Sequence, residues 1–129
     1  MRANLSVLSL VAGATMLLPG AASAACESIT LGAAISLTGK YATNGIHTQN
    51  GYEFAIQKIK DAGGVKVDGK CYNFDVIYYD DESKGDRAAT LAERLINQDK
   101  VQYMLGPYSS GMTKAIAPVT EKYKIPMIE

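Results

Sequence analysis

Three short stretches of this chain carry side chains able to do chemistry. Asp80-Asp81-Glu82 sets three carboxylates in a row, a grouping that can hold Mg²⁺, take part in phosphoryl transfer or work as acid and base. Gly106-Pro107-Tyr108-Ser109-Ser110-Gly111 places hydroxyls and glycines directly ahead of a helical pattern. N–H groups at a helix N-terminus form a ready site for an anion such as a carboxylate. Ser36 to Asn44 is dense in hydroxyl and amide groups and holds one aromatic, Tyr41. Each stretch also has a plainer account. Strand-end carboxylates are commonly solvated and complement the dipole of the helix that follows. Ser109 or Ser110 is explained by an N-cap alone. His47 is the single histidine, and early in a helical pattern it reads as a solvated surface residue. No Ser-His-Asp set assembles around it. The chain has no G-x-S-x-G elbow, no P-loop and no G-x-G-x-x-G after its first strand.

The elements that must position these residues alternate. Ile29 to Leu37 is a short apolar run closed by Thr38-Gly39 and reads as a strand buried on both faces. Over residues 44 to 62, Tyr52, Ala55, Ile56, Ile59 and Ala62 recur at helical spacing, and Gly63-Gly64 ends the helix. Val65 to Lys70 reads as a turn-rich connection with Asp68-Gly69 at its tip. Cys71 to Tyr79 is aromatic and β-branched and predicts a second strand. Ser83 with Asp86 resembles a capping box that starts a helix with Ala88, Leu91, Ala92, Leu95 and Ile96 on one face. Val101 to Leu105 is a third strand. Met112, Ala115, Ile116, Val119 and Tyr123 mark a third helix, which Pro118 is expected to kink rather than break. Ile125 to Ile128 begins a fourth strand. A β-α-β-α-β-α-β order predicts an α/β fold with a doubly wound parallel sheet. In such a sheet, ligands sit at the carboxyl ends of the strands, where the loops 36 to 44, 80 to 85 and 106 to 111 lie. A chain that stops at Glu129 on a parallel edge strand is expected to be the front part of a longer domain.

The first residues follow a different logic. Met1-Arg2-Ala3-Asn4 is a short positive start, Leu5 to Leu18 has no charge, Pro19-Gly20 breaks any helix, and Ala22-Ser23-Ala24 offers small residues to a peptidase. This is the order of a secretory signal, and the apolar run is shorter than the ~20 residues that span a bilayer. Residues 1 to 24 are therefore expected to be removed, leaving 25 to 129 as one domain or part of one. The chain holds 13 basic and 13 acidic side chains, so the loss of Arg2 leaves a net charge of −1. No basic patch favours a nucleic-acid partner. Export also argues against a cytoplasmic phosphorelay role for Asp80 and Asp81. Two cysteines remain, Cys26 and Cys71. In an oxidising compartment an even pair most simply forms one disulfide. Lipidation of Cys26 is the competing reading, although Ser23 stands where a bulky aliphatic residue is expected. Two cysteines and one histidine fall short of a structural zinc site, and neither a metal nor a cofactor is expected.

Several motifs then fall in one order. ITLGAAISLTGKYATNGIHTQNGYEFAIQKIKDAGGVKVDG, VIYYDDES with RAATLAERLI, and VQYMLGPYSSGMTKAIAPVTEKYKIPMIE resemble successive strands, loops and helices of the periplasmic solute-binding proteins of branched-chain amino acid ABC transporters. The resemblance covers residues 28 to 129. It implies a type I periplasmic-binding fold, of which this chain would be an incomplete first lobe, and a small-molecule ligand held between two lobes that close by hinge motion. It assigns the ligand's α-carboxylate to Ser110 and Gly111, with Tyr108 and Ser109 beside them. The cleft positions of the first loop run from Thr38 to Asn44, including Gly39 and Tyr41. Asn44 stands where relatives often carry an aromatic residue, which leaves branched-chain amino acids, amides, urea and aromatic acids as candidate ligands. The third loop has Ser109 where some relatives have a cysteine. Cys26 and Cys71 instead precede adjacent strands, so the two are expected to pair.

The resemblance implies a periplasmic, non-enzymatic receptor that delivers an amino-acid-like or amide ligand to a membrane permease. A sensory ectodomain on the same fold and a secreted enzyme are the alternatives; a downstream membrane helix with a signalling segment would mark the first, and a downstream His or Cys triad member the second. Residues 25 to 129 by themselves are expected to bind ligand weakly or not at all.

Overall fold

The computed structural model describes residues 25–129, so the secretory-signal reading lies outside the described residues. Eight elements follow in order. They are β1 (Glu27–Ile35), α1 (Ala42–Asp61), β2 (Val65–Val67), β3 (Lys70–Asp80), α2 (Gly85–Asn97), β4 (Tyr103–Leu105), α3 (Ser110–Tyr123) and β5 (Met127–Ile128). The sheet order is β2-β3-β1-β4-β5. β1 is paired in parallel along its whole length with β3, from Glu27 opposite Tyr72 to Ile35 opposite Asp80. Its second half is also paired in parallel with β4, and β4 with β5. The expected doubly wound parallel sheet is present, with one addition. Val65–Val67, read from sequence as a connection, is an antiparallel edge strand on β3. Asp68 and Gly69 both have positive φ (49° and 79°), which is the requirement of a two-residue hairpin turn. Three residues are too few for a strand to show its period.

Small residues let β1 sit at the centre. Ala33 and Ala34 are fully buried. A Cβ on Gly32 would stand 2.9 Å from Met104 Sδ and 3.0 Å from a Val101 methyl. One sheet face packs against α2 and α3 through Ala34, Ala88, Ala92, Leu95, Met104 and Ile116. Leu95, Met104 and Ile116 are wholly enclosed, and burial of a side chain of that size contributes about 1.5–3 kcal/mol. The other face carries Leu31, Ala33, Ile35 and Leu105 beneath α1.

That second face is far less covered. Gly45 is the one buried residue of α1. Of the predicted apolar face, Tyr52, Ile56 and Ile59 are half-buried, while Ala55 and Ala62 are exposed. An apolar concavity of about 410 Å³ runs between the helix and the sheet, lined by Ile29, Leu31, Ile56, Ile59, Phe74 and Tyr103 among others. α1 ends where expected, with Gly63 and Gly64 at φ 84° and 82° and their N–H groups donating to Lys60 and Ile59 carbonyls. α3 runs through Pro118 from Ser110 to Tyr123.

The amino ends of β1 and β3 are joined by a disulfide between Cys26 and Cys71, with Cα atoms 4.5 Å apart. A Cβ on Gly64 would come within 2.7 Å of Cys71 Sγ and 2.9 Å of Cys26 Sγ, so the helix terminus rests on the bridge. The bridge closes a loop across a sequence separation of 45, for which chain entropy gives about 4 kcal/mol. The C26S/C71S variant should lose stability on that scale in denaturant unfolding. The wild-type protein should fall to the same value once reduced.

Candidate functional site

The direction of sheet growth reverses at β1. The chain crosses from β1 to β3 on one side and then returns past β1 to β4 on the other. Adjacent strands whose connections leave on opposite faces open a crevice at their carboxyl ends. The loops after β1 and β4 flank that crevice, and the loop after β3 packs against the first of them.

The loop after β1 is held by acceptors from Asp80 to Ser83. Asp80 Oδ1 accepts the N–H groups of Leu37 (2.9 Å), Thr38 (3.1 Å) and Glu82 (2.9 Å), and Oδ2 accepts the Thr38 hydroxyl (2.6 Å). Asp81 is fully buried; its Oδ1 accepts the Ser36 hydroxyl (2.6 Å) and the Ser83 N–H (2.7 Å). Ser83 Oγ donates to the Thr38 carbonyl (2.8 Å) and accepts the Tyr41 N–H (3.0 Å). These findings correct two sequence readings. Asp80 and Asp81 are loop organisers rather than solvated strand-end charges, because amide and hydroxyl donors of the neighbouring loop converge on them. Ser83 is not a helix cap; Lys84 occupies the N-cap position of α2 without a side-chain cap bond. Ser83 instead sits at φ 61°, a backbone conformation that turns its hydroxyl back onto the first loop.

Two glycines make this contact possible. Gly39 has φ +82°, and a Cβ there would stand 2.7 Å from both the Glu82 carbonyl oxygen and Ser83 Oγ. Gly45 lies so close to the strand end that a Cβ would fall 1.9 Å from the Ser36 carbonyl oxygen. Asp80, Asp81, Ser83, Ser36 and Gly45 were not among the ligand residues named from sequence. The signal in the sequence was the run of acids at one strand end, opposite a serine at the next.

The candidate ligand residues fall on both sides of the crevice. Thr38 and Gly39 are exposed in the first loop, and Tyr41 is half-buried at the N-cap position of α1. Asn44 lies within the first turn of α1 rather than in a loop, because the helix begins at Ala42. Tyr108 is 53% exposed. Its ring centroid is 6.4 Å from that of Tyr41, tilted by 55°, so the two loops meet through an aromatic pair. Lys40 Nζ lies 4.7 Å from the Tyr41 ring centre, within cation–π range. Tyr52 ties α1 to the third loop by donating to the Gly106 carbonyl (2.8 Å).

Ser109 is the N-cap of α3. Its hydroxyl accepts the Met112 N–H (3.3 Å) and its carbonyl accepts the Thr113 N–H (3.0 Å). Ser110 and Gly111 are therefore the first two helical residues, both exposed. Their N–H groups have no partner among the described residues, leaving two orphan donors at the positive end of a 14-residue helix. Gly111 is not demanded by packing, since a Cβ would meet only Ser109 Oγ at 3.7 Å. Among the described residues there is no grouping of His, Cys, Asp and Glu that could hold a metal.

Residues 28–129 match the model of a family described as periplasmic binding protein. The chain belongs to the periplasmic binding protein family. It is 30% identical over 125 residues to Leu/Ile/Val-binding protein homolog 3 of Brucella melitensis, covering 97% of this chain and 32% of that protein. It is 31% identical over 129 residues to Leu/Ile/Val-binding protein homolog 7 of Brucella suis, covering 100% of this chain and 30% of that protein. The chain thus spans about a third of the length of these relatives. Among solved structures, it is similar to the branched-chain amino acid transporter substrate binding protein of Streptococcus pneumoniae in complex with isoleucine. The TM-score is 0.70 and the identity 32%, over 78% of this chain and 28% of that one. A solute binding protein of an ABC transporter from Rhodopseudomonas palustris, in complex with 3,4-dihydroxybenzoic acid, matches with TM-score 0.63 and 30% identity. That match covers 78% of this chain and 26% of the other. The fold is the type I periplasmic-binding fold, and the chain covers part of it.

Partial burial alone would raise the Asp80 carboxyl. The Thr38 hydroxyl and the N–H groups of Glu82, Leu37 and Thr38 outweigh it and hold the group below the usual carboxylate value. Asp81, Glu82, Lys84 and Arg87 are the other charged groups around it, with Arg87 Nε donating to the Asp80 carbonyl (3.1 Å). A depressed folded pKa means that this contribution is complete above the unfolded value of about 3.9 and is lost as pH falls through the lower folded value. The amide resonances of Leu37 and Thr38 should therefore hold their positions from pH 7 to 5 and move only below about pH 4.

Proposed function

We propose that this chain is the leading part of an extracytoplasmic substrate-binding component of an ABC importer. In this reading residues 1–24 are a cleaved export signal and residues 25–129 form the N-terminal part of the first lobe. The product works in the periplasm, takes an amino-acid-like or amide ligand and delivers it to the membrane permease. No chemical step is required of it, and no cofactor. The observation that carries the reading is the pair of orphan N–H groups of Ser110 and Gly111 at the start of α3, directly after the loop that flanks the sheet reversal. Two donors on a helix dipole match the two oxygens of a carboxylate. In this reading the Ser110 hydroxyl supplies a third donor, the Tyr41–Tyr108 pair supplies an apolar wall, and Thr38, Gly39 and Asn44 contribute from the first loop and the start of α1. Supporting this assignment, the Streptococcus relative was solved with isoleucine and the Rhodopseudomonas relative with an aromatic acid; both ligands carry a carboxylate.

The test is calorimetry on the protein expressed to its own stop codon, with leucine, isoleucine, valine and their C-terminal amides. Each amino acid should bind more tightly than its own C-terminal amide, because amidation replaces one acceptor oxygen facing the N–H donors with a donor. Ser110→Ala should weaken the preferred amino acid by about 1–3 kcal/mol, because one carboxylate oxygen loses its donor; an unchanged affinity would remove Ser110 from the site. Gly111→Ala should fold with undiminished stability, since a Cβ fits there and alanine favours the helix by about 0.5–1 kcal/mol. It should nonetheless bind ligand more weakly, because the methyl group blocks close approach to the backbone.

A further inference from the structure

Asp80 lies outside the ligand residues assigned above, yet it is the acceptor on which the first loop converges. Four donors reach one carboxylate. Three are backbone N–H groups from Leu37, Thr38 and Glu82, and the fourth is the Thr38 hydroxyl. The Leu37 and Thr38 amides lie just past the end of β1, where no neighbouring strand supplies acceptors. β3 stops at Asp80, which is paired with Ile35, so the carboxylate continues the β1–β3 ladder by side chain where the backbone ladder ends. Ser83 adds a second post further along, spanning the Thr38 carbonyl and the Tyr41 N–H. Thr38 is held at its amide, hydroxyl and carbonyl, which leaves that residue one available placement. Gly39 is pressed against the same support, 2.7 Å from any Cβ to Glu82 and Ser83 oxygens.

We propose that Asp80 is a positioning residue for ligand recognition: its carboxylate, with Ser83 as partner, fixes Thr38 to Tyr41 in the conformation that meets the ligand. The proposal rests on the binding function assigned above. Three features set it apart from a general stabilising role. The acceptor is charged, and bonds to an ionised acceptor are roughly twice as strong as neutral ones. Every partner lies in the loop after β1 or at the start of the loop after β3. And the hydrophobic core on the α2–α3 face contains none of these groups. Loss of the carboxylate should therefore release the loop while leaving the core intact.

The experiment compares Asp80→Asn, Ser83→Ala and Ile96→Val in the protein expressed to its own stop codon. The readouts are thermal unfolding, amide hydrogen exchange and isoleucine affinity. Ile96→Val removes one methylene from the opposite core near the C-terminal end of α2, so it should lower Tm and leave the affinity unchanged. Asp80→Asn should speed exchange at Leu37 and Thr38 and weaken isoleucine by about tenfold, the scale of one charged set of hydrogen bonds, for a Tm change no larger than that of Ile96→Val. Ser83→Ala should do the same at Tyr41 with a smaller loss of affinity. Unchanged exchange at Leu37 and Thr38 in Asp80→Asn would overturn the proposal. So would an affinity loss that merely follows Tm across all three variants. If the wild-type protein binds no amino acid, the functional reading falls; faster exchange at Leu37 and Thr38 would then still show that Asp80 sets the loop, and unchanged exchange would refute that as well.

Discussion

The reversal of sheet growth at β1 is the constraint on which the polar half of the structure depends. α1 leaves β1 over one face and α3 leaves β4 over the other, so the carboxyl ends of these neighbouring strands stand apart from any crossover. Backbone amides there have passed the end of the ladder and have no strand acceptor. Side chains from the next loop take the place of one. Asp80 takes the Leu37 and Thr38 amides, Asp81 takes the Ser36 hydroxyl, and Ser83 takes the Tyr41 amide. The crevice therefore has one wall whose donors are consumed and another, at the start of α3, whose Ser110 and Gly111 donors remain free.

That asymmetry also settles an electrostatic question. Three acids beside the proposed carboxylate site would repel such a ligand if their charge were free. Asp80 shares its charge among four donors, and Asp81 is enclosed with the Ser36 hydroxyl and the Ser83 amide. Glu82 is paired with Lys84 at 2.9 Å and with Arg87 at 3.3 Å. Asp80 and Glu82 are thus compensated where they stand, whereas Asp81 Oδ2 is buried with no hydrogen-bond partner among the described residues. Lys40 and the α3 N-terminus remain to favour a negative group at the mouth of the crevice.

The architecture was legible because its signals are periodic. The apolar runs of β1 and β3 and the spacing of Ala88, Ala92, Leu95 and Ile96 fix both the strands and the buried face of α2. β2 was not legible, because Val65–Val67 is too short to declare a period and its pairing depends on the left-handed backbone of Asp68 and Gly69. The roles of Asp80, Asp81 and Ser83 were hidden for another reason. A carboxylate reads alike in sequence whether it meets water or three amides, and only the parallel register that places Asp80 opposite Ile35 distinguishes the two. Ser83 with Asp86 fits a capping pattern locally, but the partners of its hydroxyl lie more than forty residues away. The start of α3 was the readable part of the candidate site, because a serine cap announces a helix start and free N–H donors follow from helix geometry.

The two faces of the sheet hold the site by different physics. On the α2–α3 side, burial fixes α3 and with it the Ser110 and Gly111 donors. On the other side α1 buries little, and Phe54 is 65% exposed. The start of α1 is instead fixed by close polar and backbone contacts: the Tyr41 N–H on Ser83, Tyr52 on the Gly106 carbonyl, and Gly45 against Ser36. Ser36 is also a partner of Asp81 Oδ1, so the fit of the helix and one of the two hydrogen bonds to the buried acid meet in one residue. A side chain at position 45 would displace Ser36 and strand Asp81 together. Changes at these positions should be strongly non-additive, as expected for groups sharing one network. The first loop is therefore set by geometry at a few atoms, whereas the third is set by the bulk of the core.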